Sequence, residues 1–301
     1  MISKVIFLIG PTASGKTDLC YSLFNDKKFI IINADSQQVY KDLPVGTAQP
    51  EPSKIKTDYL LYGFVKSGER MNAGRFAEMV HKEIKNAHTK GIIPVVVGGS
   101  GLYLNAIIYG LDDLPEANQE IRSMLQKEAE KKGLNFLYNR LSDIDPEYAE
   151  IISPNDKIRI IRALEIWILS KKKLGELKKK PKGLIFPDSL IIGLKVEREL
   201  LYRIINERCI KMIEKGWIEE TEKLLKKGLK EWLLSLPAIG YKHIVSFIEN
   251  KIDKDTMIEL IKRDTRHYAK HQITWFKKMP HVQWFEHIPG TISDGLKNFL
   301  L

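Results

Sequence analysis

Gly10-Pro11-Thr12-Ala13-Ser14-Gly15-Lys16-Thr17 stands between an apolar run, Val5 to Ile9, and an amphipathic run, Asp18 to Phe24. That order reads as strand, glycine loop, helix. The spacing of two glycines around four residues, followed by Lys and Thr, is that of a phosphate cradle. Its glycines let backbone N–H groups converge on a phosphate, its lysine neutralises the charge, and the Thr17 hydroxyl can hold a magnesium ion. The loop also opens a helix, whose free N–H groups and dipole favour an anion. Gly10, Pro11, Thr12, Ala13, Ser14, Gly15, Lys16 and Thr17 are therefore expected to bind a di- or triphosphate.

The 301 residues are 44% hydrophobic and 29% charged, the balance of a globular protein with a real core. No stretch approaches the ~18 uninterrupted apolar residues of a membrane span, and the N-terminal pattern runs into the phosphate loop rather than into a signal peptide. A cytoplasmic monomer with no membrane attachment is the expectation. Cys20 and Cys209 lie far apart in helical patterns and read as core residues. The net charge of +10 is uneven: Lys157 to Lys182 carries ten Lys and Arg against two acids, and Lys262 to Lys278 six against one. Either a polyanion larger than the loop's ligand binds there, or these are solvated lysine faces.

Phe29 to Ala34 is a second run of the kind a strand buried on both faces shows, and it stops at Asp35. Ligands lie beyond the carboxyl ends of parallel strands, so Asp35 is expected in the same crevice as Lys16, unless it merely caps the next element. Gly46 to Pro52 reads as a lid or an ordinary connection. A helix from about Asn72 to Thr89 leads into a third strand, Ile92 to Val97, followed by Gly98-Gly99-Ser100. Hydrolysing nucleoside triphosphatases usually end the equivalent strand with a magnesium-binding aspartate. Two glycines instead let something bulky approach the backbone, with the Ser100 hydroxyl beside it.

Beyond Asp112 helical patterns replace strands until Leu190 to Val196. Within them, Asp156 to Trp167 places Ile158, Ile161, Glu165 and Ile168 on one side, with Arg159 and Arg162 reaching outward. After Val196 the chain reads as helical to its end, including one helix over Leu224 to Leu234. On the helix from Ile261 to Lys278, Arg263, His267, Lys270, Thr274 and Lys277 form a basic stripe interleaved with Tyr268, Trp275 and Phe276. The fold class is α/β: a P-loop NTPase-like parallel sheet core with helices on both faces, residues 1–114 plus 191–301, and an inserted all-helical domain, residues 115–190.

GPTASGKT at Gly10 to Thr17, DSQQVY at Asp35 to Tyr40, GTAQP at Gly46 to Pro50, GGSGLY at Gly98 to Tyr103, NDKIRIIRALE at Asn155 to Glu165, AIGYK at Ala238 to Lys242 and TRHYAKHQITWF at Thr265 to Phe276 occur in that order. Together they closely resemble the tRNA dimethylallyltransferase family, also called tRNA isopentenyltransferases. The resemblance implies transfer of a dimethylallyl group from dimethylallyl diphosphate to N6 of the adenosine 3′ to the anticodon, with Mg2+. It implies that Asp35 is the general base, that Lys16 and Thr12 act on the diphosphate with Arg198, and that Ser36, Gln37, Gln38 and Ser100 line the base pocket. The tRNA anticodon stem-loop would meet Arg122, Ile158, Arg159, Ile160, Ile161 and Arg162 from the insertion. From the core it would meet Ala238, Gly240, Tyr241, Lys242, Arg266, Lys270 and His271.

The chain departs from the family pattern at Ile204, where relatives commonly carry a second diphosphate-binding arginine; at Ser153 and His271; and over Tyr59 to Met71. An enzyme prenylating free adenine nucleotides would not need the insertion and basic blocks. A small-molecule kinase would be expected to carry lid arginines, and a non-enzymatic RNA-binding protein leaves Asp35 beside Lys16 unexplained.

Overall fold

β1 (Val5–Ile9) is buried at all five positions, and its side chains alternate between two separate apolar clusters. A strand can be apolar throughout only when both sheet faces are covered. The computed structural model describes residues 3–51, 57–177, 183–286 and, near the C-terminus, 292, 296, 299 and 300. After β1 come α1 (Lys16–Leu23), β2 (Phe29–Asn33), β3 (Tyr59–Leu60), α2 (Ala73–Thr89), β4 (Ile93–Gly98), α3 (Gly101–Tyr109), α4 (Gln119–Lys132), α5 (Leu134–Ile144), α6 (Pro146–Glu150), α7 (Lys157–Ser170) and α8 (Leu174–Leu177). The chain continues with β5 (Ser189–Lys195), α9 (Arg198–Glu214), α10 (Trp217–Lys226), α11 (Lys230–Ser235), α12 (Tyr241–Ile248), α13 (Lys254–Phe276) and β6 (Val282–Glu286).

Among the described residues these strands form one parallel sheet in the order β3-β2-β4-β1-β5-β6. In this register Ile9 pairs with both Gly98 and Gly193, and Asn33 with Val97. The loops after β1, β2 and β4 therefore leave the sheet at one level, with β4 between the other two. Val5, Phe7 and Ile9 pack with residues of α2, α3, α9, α12 and α13, while Ile6 and Leu8 pack with α1 and with Ile292 and Leu296.

The chain divides into two compact units, residues 1–109 with 184–301, and residues 110–183. The first carries the sheet. The second, α4 to α8, has its own core around Leu125, Leu137, Leu141, Ile160 and Leu164. Glu165 is wholly buried there. It accepts two hydrogen bonds of 3.0 Å from Arg122, one of 2.7 Å from Arg162 and one of 2.7 Å from the Asn118 amide. Burial alone would raise its pKa; the hydrogen bonds outweigh it and hold the carboxyl below its ordinary value.

Three expectations need correcting. Ile158 is not on the apolar side of α7: it is 82% exposed, whereas Glu165 is the buried member, made tolerable by two guanidinium partners. Leu224 to Leu234 is two helices, parted at Gly228, whose φ of +73° is a left-handed turn favouring glycine. The C-terminal part is not all helix, since β6 adds an edge strand beside β5. Lys178, Lys179, Lys180 and Lys182 of the first basic block lie outside the described residues, as do Pro52 of the loop after Gly46 and Pro181.

Candidate active site

Ala13 and Gly15, at φ of +62° and +80°, turn the loop after β1 back on itself, and α1 starts at Lys16 with no side-chain cap. Its first-turn amides are thus left for an anion. The Ser14 hydroxyl, 2% exposed, has no hydrogen-bond partner among the described residues, and a Cβ at Gly10 would stand 2.8 Å from it. A buried hydroxyl of this kind inside a glycine cradle suits an anion as its partner. Lys16 Nζ meanwhile donates to the carbonyls of Gly10 (3.0 Å) and Pro11 (2.7 Å). Burial pushes its pKa down to about 8, with the Asp35 charge opposing that shift and Arg208 reinforcing it.

The loop faces a cavity of about 810 Å³ whose walls include Asp35 to Gln38, Gly98 to Tyr103, and residues from α9 and α13. Asp35 Oδ1 accepts from the Gln37 amide at 2.8 Å, and its own amide donates to Asn33 Oδ1 at 2.8 Å. Oδ2 has no hydrogen-bond partner among the described residues. The aspartate both fixes its turn and keeps one oxygen free for a proton. Ser36 is tied across the sheet end: its amide donates to Ser100 Oγ at 2.9 Å. Gln38 Nε2 donates to the Thr47 and Ala48 carbonyls, both at 3.0 Å, binding the loop after Gly46 to the same wall. That loop is held from behind by Glu220, which accepts from the Val45 amide at 2.7 Å, the Gly46 amide at 3.0 Å and the Tyr241 hydroxyl at 2.7 Å.

From α9, Arg208 reaches the phosphate loop and Nη1 donates to the Thr12 hydroxyl at 3.3 Å. Burial lowers its pKa, while the charges of Asp35 and Asp18 work against that. One cavity therefore holds a lysine, an arginine, an uncapped helix N-terminus and a carboxylate. Such a set can stabilise a polyanion and accept a proton from a neighbouring group. β4 ends in glycines with no carboxylate for a nucleotide-bound metal. A model of the IPP transferase family matches residues 38–279.

The chain belongs to the IPP transferase family.

It is 38% identical over 287 residues to the tRNA dimethylallyltransferase of Geobacter sulfurreducens, covering 95% of this chain and 92% of that one. With that of Acetivibrio thermocellus it shares 39% identity over 289 residues, 94% and 91% of the two chains. Among solved structures, the tRNA isopentenylpyrophosphate transferase of Bacillus halodurans matches at a TM-score of 0.69 and 31% identity, covering 99% of this chain and 98% of that one. A eukaryotic dimethylallyltransferase acting on tRNA matches at a TM-score of 0.76 and 28% identity, covering 94% and 73%. This member of the family is a prenyl-transferring enzyme on a P-loop NTPase-like sheet.

Among the residues expected to act, Thr12, Lys16, Thr17, Asp35 to Gln38 and Ser100 line one cavity. Arg198 does not join them. It is exposed on the first turn of α9, its guanidinium 5.3 Å from the Tyr202 ring centre, and Arg203 is exposed as well. Arg208, absent from the expected set, occupies the place instead. Its signal was available: an arginine three residues after Ile205 and seven after Leu201, on the buried stripe of α9.

Of the expected tRNA contacts, Ile160 and Ile161 are buried in the helical unit's core, and Tyr241, 1% exposed, is part of the sheet unit's core. Arg122 and Arg162 are only partly exposed and engaged with Glu165, and Arg159 pairs with Asp156. Ala238 lines the cavity. Gly240 has a φ of +100° and packs against the Trp217 ring, where a Cβ would stand 2.2 Å away. Lys242 Nζ lies 2.9 Å from Asp264 Oδ2, and Arg266 donates to Asn206 at 2.6 Å. Lys270 and His271 are exposed on α13, as are Arg263, His267, Thr274 and Lys277. Tyr268, however, turns into the cavity, and Phe276 is core.

Proposed function

We propose that the enzyme transfers a dimethylallyl group from dimethylallyl diphosphate to N6 of the adenosine 3′-adjacent to the anticodon in tRNAs reading codons that begin with U. The products are N6-dimethylallyladenosine and diphosphate. The observation that carries this reading is the free oxygen of Asp35 in one cavity with Lys16, Arg208 and the uncapped start of α1. The allylic C–O bond breaks, the electron pair leaving with the diphosphate, and the carbon is captured by N6. The proton shed by N6 goes to Asp35 Oδ2.

Lys16, Arg208 and the amides of the loop stabilise the leaving group where charge builds up, which is where fixed donors contribute most. Thr12, its hydroxyl held by Arg208, sits at the mouth of that cradle. A magnesium ion would be held by Thr17 and by the diphosphate itself, and would supply further neutralisation of the leaving group. The residues present fit that role: Thr17, a hydroxyl on the uncapped first turn of α1, lines the cavity.

Reaching N6 requires the adenine to leave its stack and enter the cavity. Ser36, Gln37, Gln38 and Ser100 would line its pocket. The exposed stripe of α13 and the α7 surface around Ile158, Arg159 and Arg162 would hold the stem-loop by backbone and stacking contacts. The reading implies a cytoplasmic enzyme acting as a monomer.

The test is incubation with dimethylallyl diphosphate, magnesium and unmodified tRNA, followed by nucleoside mass spectrometry. N6-prenylated adenosine is expected, and its absence from folded enzyme ends this reading. Asp35→Asn should keep tRNA affinity and lower turnover by ~100-fold or more, the scale of a lost general base.

A further inference from the structure

Gln272 lies on α13, 5% exposed, away from the basic stripe. Its Oε1 accepts from the Thr12 amide at 2.8 Å, and its Nε2 donates to the Gly99 carbonyl at 2.7 Å. Ser100 follows Gly99 directly in the chain, on the same loop after β4. The Ser100 hydroxyl in turn accepts from the Ser36 amide at 2.9 Å and donates to the Ser36 hydroxyl at 3.0 Å. A path of hydrogen bonds and one peptide link thus runs Thr12, Gln272, Gly99, Ser100, Ser36. It begins on the loop after β1 and ends on the segment after β2, crossing the loop after β4.

Two features make this path more than a packing contact. Thr12 is gripped at both its polar groups, the amide by Gln272 and the hydroxyl by Arg208, so movement of the cradle is passed to α13 and α9 rather than absorbed. The Gln272 amide also fits only because Gly99 has no side chain: a Cβ there would stand 2.6 Å from Nε2. A buried, fully partnered network of this kind has few alternative arrangements, so fixing one end restricts the other.

We infer that Gln272 is the positioning residue that couples the phosphate cradle to the segment holding the acceptor. An anion that settles Thr12 settles Ser36 through Gln272, Gly99 and Ser100, and an acceptor seated on Ser36 does the reverse. The Gln272 side chain is not asked to touch reacting atoms. The inference rests on the proposed function for the identity of the acceptor as a tRNA stem-loop.

The experiment measures the affinity of inorganic pyrophosphate, in magnesium buffer, with and without saturating unmodified anticodon stem-loop RNA. It compares wild type, Gln272→Met and Gln272→Leu. In wild type the RNA should tighten pyrophosphate binding by about fivefold or more, the lower end of ordinary coupling between sites. In both variants that ratio should fall to about one, while each ligand alone binds within about threefold of wild type. A ratio of one in wild type overturns the inference, as does a wild-type ratio kept by both variants. If Gln272→Met does not melt cooperatively, Gln272→Leu, which removes the same two polar groups with a branched side chain, decides. Prenylation by the same wild-type preparation is scored separately. Product with no coupling removes this inference alone, and coupling with no product removes the transfer reading alone.

Discussion

Burial pushes the Lys16 ammonium down to about 8, so the lysine proposed to meet a diphosphate is held at the edge of losing its charge. A bound diphosphate favours the charged form and raises that pKa. Binding therefore has its full strength below about pH 8 and weakens as the free enzyme's lysine deprotonates above it. The KM for dimethylallyl diphosphate should be flat from pH 7 to about 8 and then climb, approaching tenfold per unit. Lys16→Met should bind weakly at every pH and show no such climb. Arg208 provides the second test at this scale. Arg208→Ala should cost ~100-fold or more in kcat/KM, the size of a lost oxyanion donor. Arg198→Ala, on a side chain that lies against Tyr202 in solvent, should stay within about threefold. The cradle and Asp35 were legible because their chemistry is local: a spacing of glycines and a carboxylate at a strand end. Arg208 was not, since its partner Thr12 is 196 residues away and only the fold brings the two together.

Gly98 closes β4 between the neighbouring strands, and its missing Cβ decides how close their ends come. A Cβ there would stand 2.3 Å from the Ala34 carbonyl oxygen and 2.4 Å from its carbon, backbone atoms already tied to β4 by the Ala34 amide at 2.7 Å from the Val97 carbonyl. Gly98→Ala should lose at least the ~1–3 kcal/mol of an overpacked core in urea unfolding. Gly183→Ala, with nothing within 4 Å among the described residues apart from its chain neighbours, should change stability by ~0.5 kcal/mol or less. Elements with one clear period were read correctly: β1, β2, β4 and β5 as apolar runs, and α2 as a helix starting near Asn72, the residue that caps it in the structure. β6 escaped because Val282 to Glu286 is an edge strand, half-buried, with a Gln and a Glu among its five residues. α7 misled for the opposite reason. Its helix was plain, yet which face was buried depended on Glu165, a charge that burial tolerates only beside Arg122 and Arg162.

At the scale of the molecule, the sheet unit gives up its chain at Tyr109 and takes it back at Leu184. The two ends are neighbours: the Ile185 amide donates to the Ile108 carbonyl at 2.9 Å, both residues lying in the sheet unit. The cavity walls, from Thr12 to Gln272, come from that unit alone, and each unit has its own core. Donor binding and the helical unit are therefore separable, whereas α7 with its exposed Ile158 and partly exposed arginines offers surface to a partner of the whole enzyme. Joining Tyr109 to Leu184 through about four Gly and Ser residues, a common connection length, should yield a folded sheet unit. It should bind pyrophosphate within about threefold of the full chain, because every group of the cradle is kept. The same protein should lose anticodon stem-loop affinity by about tenfold or more, since phosphate contacts from α7 would be gone. Isothermal titration of each ligand, with melting curves to establish folding, checks both halves. Stem-loop affinity equal to the full chain's would leave RNA recognition to α13 and the core-side turn alone, and loss of pyrophosphate binding in a folded product would mean that the cradle depends on the excised helices.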